Sequence, residues 1–164
     1  MQPRRFLPVA AGAAILSIGS CAAFADGPRW IAPRTNETAR LQSVEIVELL
    51  AQNRLGPEEN IKALSLHRDT HNAILLVQVR HREPNHYHAD SNITVLMLEG
   101  QGVLHTGNQS FDLAVGDSAL VPRGAPHYFV NRGNVPAAAL VIYAPPPSKN
   151  DRVVIKTEPE PTTQ

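Results

Sequence analysis

The chain has 164 residues, with 15 basic and 15 acidic side chains, 43% hydrophobic and 5% aromatic residues, and 14 prolines. That length fits a single domain. Balanced charge without a run of like-charged residues excludes the clustered basic footprint of a nucleic-acid-binding protein, and many prolines with few aromatics favour a turn-rich β domain over a helical bundle.

Residues 1–25 read as a targeting segment. Arg4 and Arg5 form a positive start, and Phe6 to Gly19 form an apolar stretch shorter than the roughly 20 residues a membrane span requires. Ala23-Phe24-Ala25 then offers a small-x-small cleavage site, leaving Asp26 as the mature N-terminus. The sole cysteine, Cys21, follows Ile18-Gly19-Ser20, which resembles a bacterial lipobox. Lipidation at Cys21 is therefore the alternative to simple cleavage after Ala25, and cleavage is the preferred reading. Both routes predict export to the periplasm or beyond, with no membrane-spanning helix. After cleavage the mature chain has no cysteine, so a bound metal must be held by nitrogen and oxygen. Without Arg4 and Arg5, 13 basic residues face 15 acidic ones, a formal charge of −2.

Residues 26–60 form an N-terminal arm. Its first ten residues are punctuated by proline. Asn36 to Asn53 carries a partial helical stripe (Leu41, Val44, Val47 or Glu48, Ala51) with Asn36 as a candidate cap. Val44-Glu45-Ile46-Val47 is β-branched enough to be a strand instead; the helix is preferred, and Gly56-Pro57 ends it.

From Ile61 the pattern becomes short strands between turns: 61–66, 73–79, 93–98, 102–106, 109–113, 118–121, 127–130 and 137–143. Gly107-Asn108 is a hairpin signal, because both residues tolerate positive φ. Such spacing predicts a barrel or sandwich over residues 61–147. Pro145-Pro146-Pro147 marks its end, leaving 148–164 as a C-terminal tail with a disordered end from Thr157.

Seven histidines stand at 67, 71, 81, 86, 88, 105 and 127. A lone histidine on a strand is ordinarily structural, and His67, His71 and His105 are read that way. His86-Tyr87-His88 differs, since residues two apart on a strand face the same side. Downstream, Gly116 to Asn131 matches G-x5-P-x-G-x2-H-x3-N at every specified position: Gly116, Pro122, Gly124, His127 and Asn131. Pro122 and Gly124 bracket a tight turn that delivers His127 onto the next strand, and Asn131 can tie down its own loop through side-chain bonds to backbone.

This second motif is similar to that of the cupin superfamily, and the resemblance spans roughly residues 61–144. It implies an all-β fold, a single double-stranded β-helix or jelly-roll barrel with a short helical or extended N-terminal arm. It also implies a divalent metal held by His86, His88 and His127. The first cupin motif, G-x5-H-x-H-x3,4-E-x6-G, fits at His86, His88 and Gly100 but departs at two positions. Its leading glycine is Arg80, and its glutamate falls on Asn92 or Ile93. Asn92 shares strand parity with the two histidines and is the candidate for a fourth, weak oxygen ligand; Asp90 or water are alternatives. An imidazole-rich site suits Fe, Cu, Zn or Ni, with Mn less favoured.

Three-histidine sites resemble those of cupin oxygenases. Tyr87, Tyr128 and Arg123 are candidates for orienting an anionic substrate at the barrel mouth. Three functions follow as expectations: a metal-dependent oxygenase or lyase acting on a small molecule, a periplasmic metal-handling protein, and a cupin that binds a small ligand without metal. The resemblance also implies a homodimer formed through edge strands.

Overall fold

The computed structural model describes residues 29–33 and 41–156. The targeting segment with Cys21, the candidate cap Asn36 and the tail from Thr157 lie outside the described residues. Among those described, no helix is long and apolar enough to cross a membrane.

A two-stranded ribbon, β1 (Arg29–Pro33) with β2 (Leu41–Glu45), precedes a short helix α1 (Ile46–Gln52). Of the helix expected between Asn36 and Asn53, Ile46–Gln52 is helical, whereas Leu41–Glu45 is a strand. Pairing with β1 supplies a hydrogen-bonding partner that no single-segment pattern encodes. Ten further strands form two antiparallel five-stranded sheets facing each other. One sheet has the order β12 (Arg152–Val154), β5 (His86–His88), β10 (His127–Asn131), β7 (Gln101–Thr106) and β8 (Gln109–Ala114). The other has β3 (Ile61–Arg68), β4 (Ala73–Val79), β11 (Ala137–Ala144), β6 (Asn92–Glu99) and β9 (Ser118–Val121). The jelly-roll expectation holds, and each strand read from Ile61 onward is present with its ends shifted by two residues or fewer.

The core between the sheets is built by alternate residues, among them Val79, Ile93, Met97, Leu104, Phe129 and Val141. On β4 the opposite face is covered too. Leu76 is fully buried under Ile46 and Leu50 of α1, and Gln78 Nε2 donates to Asn53 O at 2.8 Å. Burial of both faces explains why Ala73–Val77 reads as an unbroken apolar run rather than an alternation.

The end of the ordered domain lies later than the three prolines suggest. The chain continues into β12, whose Arg152, Val153 and Val154 pair with His88, Tyr87 and His86. The first part of the expected tail is therefore an edge strand of the sheet that carries all three of the candidate histidines. Its three residues are too few for a strand pattern to stand out.

Candidate metal centre

His127 opens β10 and lies directly opposite His86 of β5 in the antiparallel register. Residues opposite one another on paired strands bring their side chains to about 5 Å, and the two ring centroids are 4.4 Å apart. His88, two residues along on the same face, places its ring centroid 5.2 Å from that of His86 and 5.5 Å from that of His127. All three residues are 3% exposed. One ring nitrogen of each lies within 4.8 Å of the corresponding nitrogens of the other two.

The motif residues hold this arrangement. Ala125 N–H donates to Pro122 O at 3.1 Å, closing the turn before His127. Gly124, at φ +77°, occupies the left-handed region that a side chain would strain. From there its N–H reaches His88 O at 2.7 Å, so the turn leading to one histidine is fastened to the strand carrying the other two. Asn131 donates to Arg80 O and Val135 O and accepts from Gly133 N–H, the loop-tying role expected of it. Arg80, in the motif's glycine position, instead clamps the arm by donating to Glu59 O and Gly56 O.

Each imidazole is oriented through Nδ1. His86 Nδ1 is 2.8 Å from Pro84 O and His127 Nδ1 is 2.9 Å from Ala125 O. His88 Nδ1 is 2.6 Å from Asp151 Oδ2. A carbonyl or carboxylate at Nδ1 fixes the proton there and leaves the Nε2 lone pair free, which is the arrangement by which proteins prepare histidine for metal. Burial keeps the His86 and His127 rings neutral: it lowers His86 to about 3 against the Pro84 bond, and it lowers His127 against its Ala125 bond. The donor set therefore fits a divalent transition metal on its own chemistry: three imidazoles with Nε2 free, in one place.

Asn92 does not join them. It is exposed, and its Oδ1 accepts from Arg123 N–H at 3.0 Å. Parity with His86 and His88 misled because β5 ends at His88 and β6 begins at Asn92 in the other sheet, so alternation does not carry across the turn. Ile93 is the residue that faces inward there. Asp90 is exposed too, its Oδ2 accepting from Ser148 Oγ. Of the residues expected at the mouth, Tyr128 lies on the outer face, stacked on His105 at 4.5 Å with the Arg82 guanidinium over its ring. Tyr87 alternates away from the histidines, and Arg123 is exposed. His105 bonds to Ser110, and His67 and His71 are exposed near Asp69 and Thr70; none of the three faces the centre.

Beside the three histidines lies a cavity of about 70 Å³, walled by apolar residues including Val79, Val95, Met97 and Phe129. Two further polar residues face it, Glu83 and Tyr143.

A family model described as the cupin domain matches residues 73–143. The chain carries a small cupin domain. Its sequence is similar to an uncharacterized protein of Aquifex aeolicus, 29% identical over 115 residues, covering 70% of this chain and 94% of that one. It is also similar to the tetracenomycin polyketide synthase protein TcmJ of Streptomyces glaucescens, 32% identical over 76 residues, covering 46% of this chain and 51% of TcmJ. Among solved structures the cupin barrel resembles TT1209 from Thermus thermophilus (TM-score 0.55, 28% identity, 63% of this chain and 98% of that one). It shares its fold with the Streptomyces nucleoside dehydratase Pac13 (TM-score 0.53, 18% identity, 62% and 82%).

Three residues of this cupin site were not found by sequence reasoning. Asp151 is 1% exposed, and besides His88 it accepts from the N–H groups of Asp90 and Ser91 at 2.7 and 3.0 Å. Burial pushes its carboxyl up, but the bonds from Asp90, His88 and Ser91 outweigh it and hold the group below the usual carboxylate range. Asp151 stands 63 residues from His88 in the segment taken for a tail, and no local pattern connects them. Glu83 precedes β5 and Tyr143 lies near the end of an apolar strand; the Tyr143 ring meets His88 edge-on at 5.1 Å. Burial, then the neighbouring Glu83, pushes the Tyr143 hydroxyl up to about 12. The alternation of Val141 and Tyr143 on β11 was the one signal that points Tyr143 inward.

Proposed function

We propose that this protein is an exported metal-dependent enzyme acting on a small molecule, with His86, His88 and His127 holding a divalent metal through Nε2. The observation that carries the reading is the engagement of all three Nδ1 atoms by acceptors, which leaves three convergent Nε2 atoms. When bound, the metal supplies Lewis acidity and open coordination positions. The protein's own part is to hold three neutral donors, to exclude bulk water with apolar walls, and to present the Glu83 carboxyl and Tyr143 hydroxyl to whatever enters. Fe, Cu, Zn and Ni suit three imidazoles, and Mn less so because it favours oxygen ligands. An oxygenase or a lyase fits a site with open positions.

Catalysis is preferred over metal delivery because ligands at 3% exposure exchange metal slowly, whereas a carrier needs accessible ones. It is preferred over metal-free binding because three imidazoles whose Nδ1 atoms are already engaged converge on one cavity, an arrangement that prepares histidine for metal and that a metal-free site does not require. Similarity to TcmJ, a polyketide synthase protein, supports a small-molecule setting. Export rests on residues 4–25, and the mass of the mature N-terminus separates cleavage before Asp26 from lipidation at Cys21.

Metal analysis of the protein isolated from its own compartment is the first test, followed by anaerobic Fe(II) loading and an oxygen-uptake screen against small oxygen-bearing acids, ketones and thiols. Turnover with one loaded metal supports the enzyme. Stoichiometric metal without turnover under any loading favours the handling protein, and a stable metal-free protein that binds its ligand in chelator removes both.

A further inference from the structure

Glu83 is fastened in an unusual way. Its backbone N–H donates to Phe129 O at 2.9 Å, and its Oε2 accepts from Phe129 N–H at 3.1 Å. Backbone and side chain thus clip the same residue of β10, two residues beyond His127, and the carboxyl has little freedom to move. Its second oxygen, Oε1, has no hydrogen-bond partner among the described residues, and the side chain faces the cavity shared with the three imidazoles. Glu83 is half-buried, so Oε1 is open to the cavity rather than sealed, and burial raises the carboxyl's proton affinity against the Phe129 bond and the charge of Arg152. A carboxyl held in place at the wall of a cavity, beside three convergent imidazoles, is placed to meet a ligand.

The rest of the wall limits what that something is. Apart from Glu83 and the histidines, Tyr143 supplies the cavity's polar contact; the remainder is apolar side chain. A cavity of about 70 Å³ has room for roughly five or six water-sized groups. Building on the metal-dependent reading above, we propose that Glu83 is a substrate-orienting residue and that the cavity selects a small, mostly apolar molecule bearing two oxygens, a carbonyl for the metal and a hydroxyl for Glu83.

The test uses full-length protein loaded with Co(II), whose visible spectrum reports ligand binding at the metal. Azide probes the metal alone. 3-Hydroxybutan-2-one and 4-hydroxybutan-2-one probe the pair, with butan-2-one as the control lacking the hydroxyl. In the wild type a hydroxyketone binds more tightly than butan-2-one. Glu83→Leu weakens hydroxyketone binding about tenfold, the ordinary worth of one hydrogen bond, while the Co(II) spectrum, the Co(II) affinity and azide binding stay unchanged. Glu83→Gln, which keeps an acceptor for Phe129 N–H, weakens it less, about threefold; it carries the test alone if the leucine variant does not fold. Equal hydroxyketone affinity in wild type and variants overturns the proposal. A changed Co(II) spectrum or weakened Co(II) binding in Glu83→Gln also overturns it, by making Glu83 a metal ligand. Wild type that binds azide but no hydroxyketone keeps the metal reading and removes the substrate class. Wild type that takes up no Co(II) removes the metal reading itself, and this inference with it.

Discussion

Replacing Asp151 with asparagine changes one atom at the centre's least expected support. Asparagine keeps an oxygen for the Asp90 and Ser91 N–H groups, so the turn after His88 retains its anchors. What changes is the partner of His88 Nδ1, now 2.6 Å from Oδ2. An NH2 group there faces a ring N–H, and two donors repel. The ring relieves this by moving its proton to Nε2, which blocks the metal lone pair, or by rotating out of line. Loss of such an outer partner costs about 10–100-fold in metal affinity, or about 1.4–2.7 kcal/mol. Competition titration of Zn(II) against a chelator of known affinity measures it, with the thermal midpoint of the metal-free protein as the control for folding. Asp151→Asn that binds Zn(II) within about twofold of wild type would refute the role given to this carboxylate, since the expected loss starts at roughly tenfold. Asp151→Ala is the harsher variant: it also removes the acceptor of the Asp90 N–H and leaves the buried Ser91 N–H without a partner, the latter at about 1–3 kcal/mol, and lowers the thermal midpoint as well.

His127→Ala abolishes stoichiometric metal uptake, whereas His105→Ala, whose ring stacks on Tyr128 on the outer face, leaves it intact; equal loss in both, by elemental analysis, contradicts the assignment. In the metal-free protein, burial holds His86 at about 3 rather than 6.5, so below about pH 6.5 the unfolded chain binds a proton that the folded chain refuses. Stability is therefore full above about pH 6.5 and falls as pH drops toward 3. Thermal midpoints in chelator between about pH 7.5 and 5 should show this, with a smaller slope in His86→Gln; a flat profile counts against neutral buried rings. Leu76→Ala, at a fully buried position between β4 and α1, costs about 2–5 kcal/mol in denaturant unfolding, and a cost under about 1 kcal/mol would mean that α1 does not cover that face.

The parts of this structure legible in the sequence are those encoded locally. The turn chemistry of Pro122 and Gly124 and the spacing to His127 lie within sixteen consecutive residues, and period-two alternation was enough to pair His86 with His88. Strand ends were readable because turns of Gly107-Asn108 type punctuate them. The failures share a physical cause, a partner remote in sequence. Asn92 was assigned by alternation that stops where the chain crosses between sheets. The strand Leu41–Glu45 depends on β1, and β12 on β5. Asp151 and Glu83 act through bonds to residues 63 and 46 positions away, and nothing in their neighbours announces it.

The central claim is that three imidazoles, and not a carboxylate from the His-x-His strand, hold the metal. X-ray absorption on the Zn(II)-loaded protein reads that donor set directly. The account predicts three imidazole nitrogens at about 2.0–2.1 Å. Fewer than three imidazoles in the wild type, or a first shell dominated by oxygen, would contradict it.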